Sequence, residues 1–241
     1  MLAAKAGIWL LCLTPAGLLV WRAFTGGLGA NPIEFITLRT GFWTLVLLMV
    51  TLAITPLRRV TGWNRVIQFR RPLGLFAFFY ATLHFLTYVV LDLFFDFSAV
   101  AADIMKRPYI TVGFTAFLLL IPLAATSTRG SIRRLGRNWT RLHRLVYVSA
   151  ALAVLHFYWK KSAKADIFEP LLFAGILAVL LLFRLLYVLR RRARSAPVAG
   201  VVPATRGSRS TTLQRSRNGE QNVVREEVIA QDAGGEDVTG P

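Results

Sequence analysis

The 241-residue chain contains three histidines, His84, His143 and His156, and all three fall inside or at the edge of apolar segments. An ionisable ring at membrane depth is costly, so it marks a functional site suited to holding a metal or moving a proton. For each histidine alone, the alternative is a ring hydrogen-bonded inside a helix bundle. Position separates these readings. His84 lies 12 residues past Pro72 (84 − 72) and His156 lies 14 past Leu142 (156 − 142), and both segments are predicted to run the same way through the bilayer. At about 1.5 Å per residue the two rings sit roughly 18 and 21 Å from the same edge. Two imidazoles on separate helices at one depth can clamp a haem iron from both faces. Six-coordinate haem suits electron transfer, since no position stays open for a substrate. Zinc would call for further ligands that this pair does not have beside it.

His143 belongs to a different layer. It precedes His156 by 13 residues (156 − 143), so along a continuous helix it lies about 20 Å nearer the other edge. No histidine on the third segment matches that depth; Arg70 and Arg71 occupy it instead. His143 with Arg70 beside it is thus the candidate pair for a second haem, Arg70 meeting either a propionate or the iron. The alternative is a polar residue at headgroup level. Thirteen residues at about 100° each do not return to one helix face, so a continuous helix would present His143 and His156 to different sides. The one cysteine, Cys12, excludes an intramolecular disulfide or a cysteine-held cluster, and reads as a small core residue.

The elements that must position these rings are set by composition. Residues of the hydrophobic class make up 55% of the chain, more than a soluble core of this length can bury but what lipid can solvate. Six apolar segments approach the roughly 20 residues a bilayer demands, at 6–21, 38–57, 72–93, 109–125, 142–159 and 170–189. The fold class is therefore all-α, a six-helix transmembrane bundle. The second loop carries Arg58, Arg59, Arg65, Arg70 and Arg71, and the fourth carries Arg129, Arg133, Arg134, Arg137 and Arg141, with no acid in either. Arg190, Arg191, Arg192 and Arg194 follow the last segment, whereas Glu34, Asp92, Asp96, Asp103, Asp166 and Glu169 fall on the other side. Arginine-rich loops stay cytoplasmic, which puts both termini in the cytoplasm.

From Ser195 the apolar runs cease, so residues 1–194 read as one membrane domain and 195–241 as a disordered cytoplasmic tail. Basic clusters between spans account for the net charge of +17; no nucleic-acid motif accompanies them. No dinucleotide fingerprint, P-loop or internal repeat is visible, so electrons must enter and leave through other molecules. Two other classes fit intramembrane histidines: a transporter or channel, and a haem-free anchor for a partner complex. The lack of paired acids within the spans speaks against the first.

Several runs also carry a resemblance. They are Thr55-Pro56-Leu57-Arg58-Arg59, then Arg71-Pro72-Leu73-Gly74-Leu75 leading to Tyr80-Ala81-Thr82-Leu83-His84. With them go Lys106-Arg107-Pro108-Tyr109-Ile110-Thr111-Val112-Gly113 and Trp139-Thr140-Arg141-Leu142-His143-Arg144-Leu145. Together they resemble the MsrQ (YedZ) family, the haem-binding membrane subunits of the bacterial MsrPQ protein-methionine-sulfoxide reductase system. The likeness covers roughly residues 1–190. A more distant kinship is to the ferric reductase-like and NADPH oxidase transmembrane domain. The resemblance implies an inner-membrane electron-transfer subunit with haem b, one or two per chain, and FMN. It implies a cytoplasmic flavin reductase or quinol as donor and the periplasmic molybdopterin subunit MsrP as acceptor, where methionine sulfoxide in oxidised proteins is reduced. His84 and His156 take the axial positions in this scheme. NADPH-oxidase-like relatives carry two histidines on each of spans three and five; this chain has only His84 on span three. No FMN-binding residue carries over.

Overall fold

The computed structural model describes residues 2–162 and 166–195, and every regular element among them is helical. Contacts divide the chain into two units, 1–191 and 192–241. Of the tail expected at 195–241, Ser195 ends the last helix and the rest lies outside the described residues.

Helix α1 (Leu2–Phe24) exposes most of its apolar side chains, as a lipid-facing helix does. It survives Pro15 through a side chain from another helix. The Tyr80 hydroxyl accepts from the Ala16 N–H at 3.0 Å and donates to the Cys12 carbonyl at 2.7 Å, bridging the ladder where the proline loosens it. Tyr80 is fully buried, so this bridge anchors α1 to the bundle. Tyr80→Phe is expected to lower stability by about 0.6–1.7 kcal/mol, the worth of such bonds between helices of a folded membrane protein. A thermal melt in detergent checks this; an unchanged midpoint would show the bridge to be idle.

Helix α2 (Pro32–Thr61) starts where Asn31 accepts from the Glu34 N–H with Pro32 at the first position, and ends at Gly62 with φ 70°. After a 3-10 turn (Asn64–Phe69), α3 (Arg70–Leu86) carries His84 and runs on through a π-helical turn (Thr87–Asp92). Helix α2 packs chiefly on α3, and α5 (Pro108–Ala125) on α8 (Leu145–Ser162). Their interface is the core, centred on Leu48, Leu52, Ala77, Tyr80, Ser149 and Ala150.

Two loops hold helices that hydropathy alone leaves unassigned. Helix α4 (Phe97–Lys106) is capped by Asp96, which accepts from the Ser98 and Ala99 N–H groups. Hydrogen bonds to this carboxylate, led by the one from the Ser98 side chain, hold the exposed Asp96 carboxyl below its usual pKa. The turn before it holds Phe94 and Phe95 at positive φ, 47° and 64°, both side chains exposed. In the arginine-rich loop lie α6 (Arg129–Leu135) and α7 (Arg137–Leu142).

Among the described residues five helical stretches are long and apolar enough to cross a membrane: 5–24, 32–61, 64–92, 108–125 and 168–194, the last within α9 (Phe168–Ser195). They coincide with five of the six expected segments. The sixth, α8, has the length but ends in Trp159-Lys160-Lys161-Ser162 and carries His156, which lower its hydropathy. Its start also differs from expectation. Helix α7 stops at Leu142 and α8 begins at Leu145, so His143 sits in the turn between them and not within the fifth span's helix. That break removes the continuous helix on which the thirteen-residue facing problem rests.

Candidate haem site

His84 projects from α3 and His156 from α8, and their ring centroids lie 6.1 Å apart with planes at 73°. The matched depths inferred from the sequence thus correspond to two opposed rings. Two imidazole–metal bonds of about 2.0–2.1 Å each span about 4 Å, a separation that rings at this spacing can provide between their nitrogens.

Each ring is fixed from behind in the same way. His84 Nδ1 lies 2.9 Å from the Thr37 carbonyl oxygen, and His156 Nδ1 lies 2.7 Å from that of Tyr109. A carbonyl only accepts, so both Nδ1 atoms carry the proton and Nε2 is the nitrogen left for a metal. Such a backbone partner orients a ligating histidine and raises its basicity.

Two glycines allow this approach. An α-carbon's Cβ tilts toward the helix N-terminus, so the residue four positions on overhangs a given carbonyl. Four residues after Thr37 stands Gly41, and four after Tyr109 stands Gly113. A Cβ at Gly41 would lie 3.1 Å from the His84 ring; one at Gly113 would lie 2.6 Å from His156 Nδ1. An offset of 72 residues relates Thr37 to Tyr109, Gly41 to Gly113 and His84 to His156. The α2–α3 and α5–α8 pairs therefore present one arrangement twice, a symmetry suited to a flat group held from two faces. Residue identities elsewhere in the two halves differ too much to show it as a sequence repeat.

Both histidines line a cavity between the pairs whose walls include Phe85, Phe114 and Phe117. The Phe85 and Phe117 rings stack on each other at 5.0 Å, giving the cavity an aromatic, apolar side. The polar end holds Arg107, Lys160, Tyr88 and Asp92. There the Tyr88 hydroxyl donates to Asp103 at 3.0 Å, and Arg107 pairs with the same carboxylate at 3.2 Å. Among the described residues no cluster of three or more histidine, cysteine or acidic side chains could hold a metal ion. A porphyrin supplies four nitrogens of its own, so two axial histidines complete its iron where they would leave zinc short.

His143 and Arg70 do not reach this cavity. The His143 ring stacks on Trp139 at 3.9 Å, with Nδ1 3.1 Å from the Trp139 carbonyl oxygen. Its Nε2 is buried and makes no hydrogen bond of normal geometry, with the Leu123 backbone the nearest group acting on the ring. Arg70 lies within electrostatic reach of this ring. Cys12 is a buried free thiol in the core. Sequence reasoning missed Gly41, Gly113 and the two carbonyls. Tyr109 and Gly113 were in view only as members of one of the runs that carry the resemblance.

Residues 40–154, which hold His84 and His143 and end two residues short of His156, match the family described as ferric reductase like transmembrane component. The chain is 54% identical over 197 residues to the protein-methionine-sulfoxide reductase heme-binding subunit MsrQ of Herminiimonas arsenicoxydans, covering 81% of this chain and 90% of that one. To the subunit of the same name from Ralstonia nicotianae it is 52% identical over 202 residues, covering 83% and 93%. That of Rhodospirillum rubrum is 54% identical over 192 residues, covering 78% and 90%. No solved structure matches the chain. With identity at this level running through nearly the whole length of these relatives, the chain belongs to the MsrQ family of ferric reductase-like membrane proteins.

Proposed function

We propose that this chain is the haem electron-transfer subunit of a methionine sulfoxide reductase system, with His84 and His156 as axial ligands of a haem b. The observation that carries the reading is the opposed pair of rings, each with Nδ1 spent on a backbone carbonyl and Nε2 left free for iron. When bound, haem supplies a one-electron couple. The residues hold it, keep water from it and fix its orientation. Phe85, Phe114 and Phe117 wall it off, while Arg107 and Lys160 at the polar end suit its carboxylates.

Six crossings, with α8 as the sixth, put both termini in the cytoplasm and the His84–His156 site nearer the periplasm. Residues 1–194 form the haem-binding domain and 195–241 a cytoplasmic tail. Electrons arrive from a cytoplasmic flavin reductase or from quinol, with FMN as an intermediate carrier, and leave to a periplasmic molybdopterin partner, MsrP. Reduction of methionine sulfoxide belongs to that partner. A second haem at His143, with Arg70 within electrostatic reach, is supported by the burial of His143 Nε2, which makes no hydrogen bond of normal geometry.

An absorbance spectrum of the purified chain tests this. A Soret band that shifts on reduction is expected from protein made with ample haem supply. Its absence would sink the electron-carrier reading and leave a channel or a haem-free anchor.

A further inference from the structure

Pro56 lies inside α2 and has no N–H, so the carbonyl of Leu52, four residues earlier, loses its helical donor. Arg184, from the middle of α9, fills that gap: its Nη2 donates to the Leu52 oxygen at 2.7 Å. The guanidinium is braced from one side by the Tyr147 ring, 4.8 Å from its carbon, and the Tyr147 side chain also acts on it as a weak hydrogen-bond neighbour. Yet Nε and Nη1 of Arg184 are buried with no hydrogen-bond partner. Guanidinium donors left bare inside a bundle are costly, and one backbone carbonyl does not neutralise the charge.

Nearby groups deepen the deficit. Arg59 and Arg70 lie within electrostatic reach of Arg184. Arg59 is itself held over the Tyr187 ring at 3.5 Å, one α9 turn from Arg184. No ion pair among the described residues reaches any of the three; all involve Arg107 or Lys161. Every carboxylate before residue 196 belongs to the opposite end of the bundle, the one on α9 being Glu169, 15 residues (about 22 Å) from Arg184. Three arginines from three helices thus lie within electrostatic reach of one another around Arg184, with no carboxylate beside them among the described residues.

We propose that Arg184, with Arg59 and Arg70, forms a binding site for a phosphate or carboxylate group on a membrane-associated ligand. The site is separate from the His84–His156 cavity, which none of the three arginines lines. It completes the hydrogen bonding of Arg184 and places an acidic group where α2, α3 and α9 meet. This deepens the electron-carrier reading and rests on it for two of three ligand sources: the phosphate of a flavin mononucleotide, a haem propionate, or a phospholipid headgroup.

The test compares full-length wild type with Arg184→Met, Pro56→Ala/Arg184→Met and the exposed-residue control Arg190→Gln. Three contents are measured per chain: flavin released by acid, haem by spectrum, and bound phospholipid by native mass spectrometry. Losing a hydrogen-bonded charge is expected to reduce one of them about tenfold or more in Arg184→Met, with Arg190→Gln at wild-type level. The content that falls names the source. Pro56→Ala returns an N–H to Leu52, so the double variant is expected to regain thermal stability without regaining the ligand. Recovery of the ligand along with stability would reduce Arg184 to a helix cap and overturn the proposal. Unchanged flavin, haem and phospholipid in a folded Arg184→Met would do the same. The outer haem band reports separately: its absence from wild type is a failure of the electron-carrier reading, not of the anion site.

Discussion

Alanine at either His84 or His156 is expected to cut haem content at least tenfold and to remove the six-coordinate spectrum of whatever haem remains. The two rings face each other at 6.1 Å from helices that pack in separate pairs, so neither can replace the other. Loss of a partner that merely orients a ligand weakens metal binding by about 10–100-fold. Loss of the ligand itself should cost no less. The cavity would keep its aromatic walls, since neither ring belongs to the buried core, and the variants should fold. Haem-to-protein ratio, read as a pyridine complex, together with the low-spin signal in electron paramagnetic resonance, gives the answer. A wild-type ratio in both variants would mean that the iron is held elsewhere. His143→Ala tests the other layer independently: it should leave this signal intact and remove only a second one.

What the sequence displays and what it conceals follow from the physics of each feature. A span announces itself because few settings other than a bilayer solvate twenty apolar residues in a row, and five of the six expected segments reappear at nearly the expected positions. The sixth is the helix that carries His156, where that ring and Lys160 and Lys161 dilute the apolar signal. Depth along a helix is likewise readable, because rise per residue is constant, and His84 and His156 meet as their positions require. Helices α4, α6 and α7 are too short to stand out by hydropathy, and the caps of α4 and α6 at Asp96 and Thr128 look like ordinary loop residues. The break at His143 has no proline or glycine to mark it. Gly41 and Gly113 matter only through rings 43 residues further on (84 − 41 and 156 − 113), and no local pattern points there. Arg184 reads as one more cytoplasmic arginine until Leu52 is seen to need its N–H. Features set by local chemistry are legible; those set by what a distant side chain meets are not.

The glycines yield a graded prediction whose order comes from geometry alone. Gly113→Ala would place a methyl group 2.6 Å from His156 Nδ1, closer than real Cβ contacts come, and 2.9 Å from its Cε1. The ring must swing away from α5, which breaks its bond to the Tyr109 carbonyl and points Nε2 off the line to His84. Relief by moving the backbone is blocked, because α5 and α8 pack closely through buried Ala116, Ser149 and Ala150, with Ser149 donating to the Ala116 carbonyl at 2.9 Å. Haem content is therefore expected to fall about 10–100-fold, as when an orienting partner is lost, with the melting temperature of the haem-free protein little changed. Gly41→Ala meets the His84 ring at 3.1 Å, which a shift of a few tenths of an ångström relieves, so haem should stay bound with a weakened or altered low-spin signal. Gly74→Ala, on the same helix as His84, meets nothing nearer than a Thr51 methyl at 3.6 Å and should behave as wild type. Helix propensity cannot mimic this order, since alanine favours helix over glycine by about 1 kcal/mol at every site. If Gly113→Ala binds haem as wild type does, His156 does not work from the position in which Tyr109 holds it, and the ligand geometry derived from that bond falls with it.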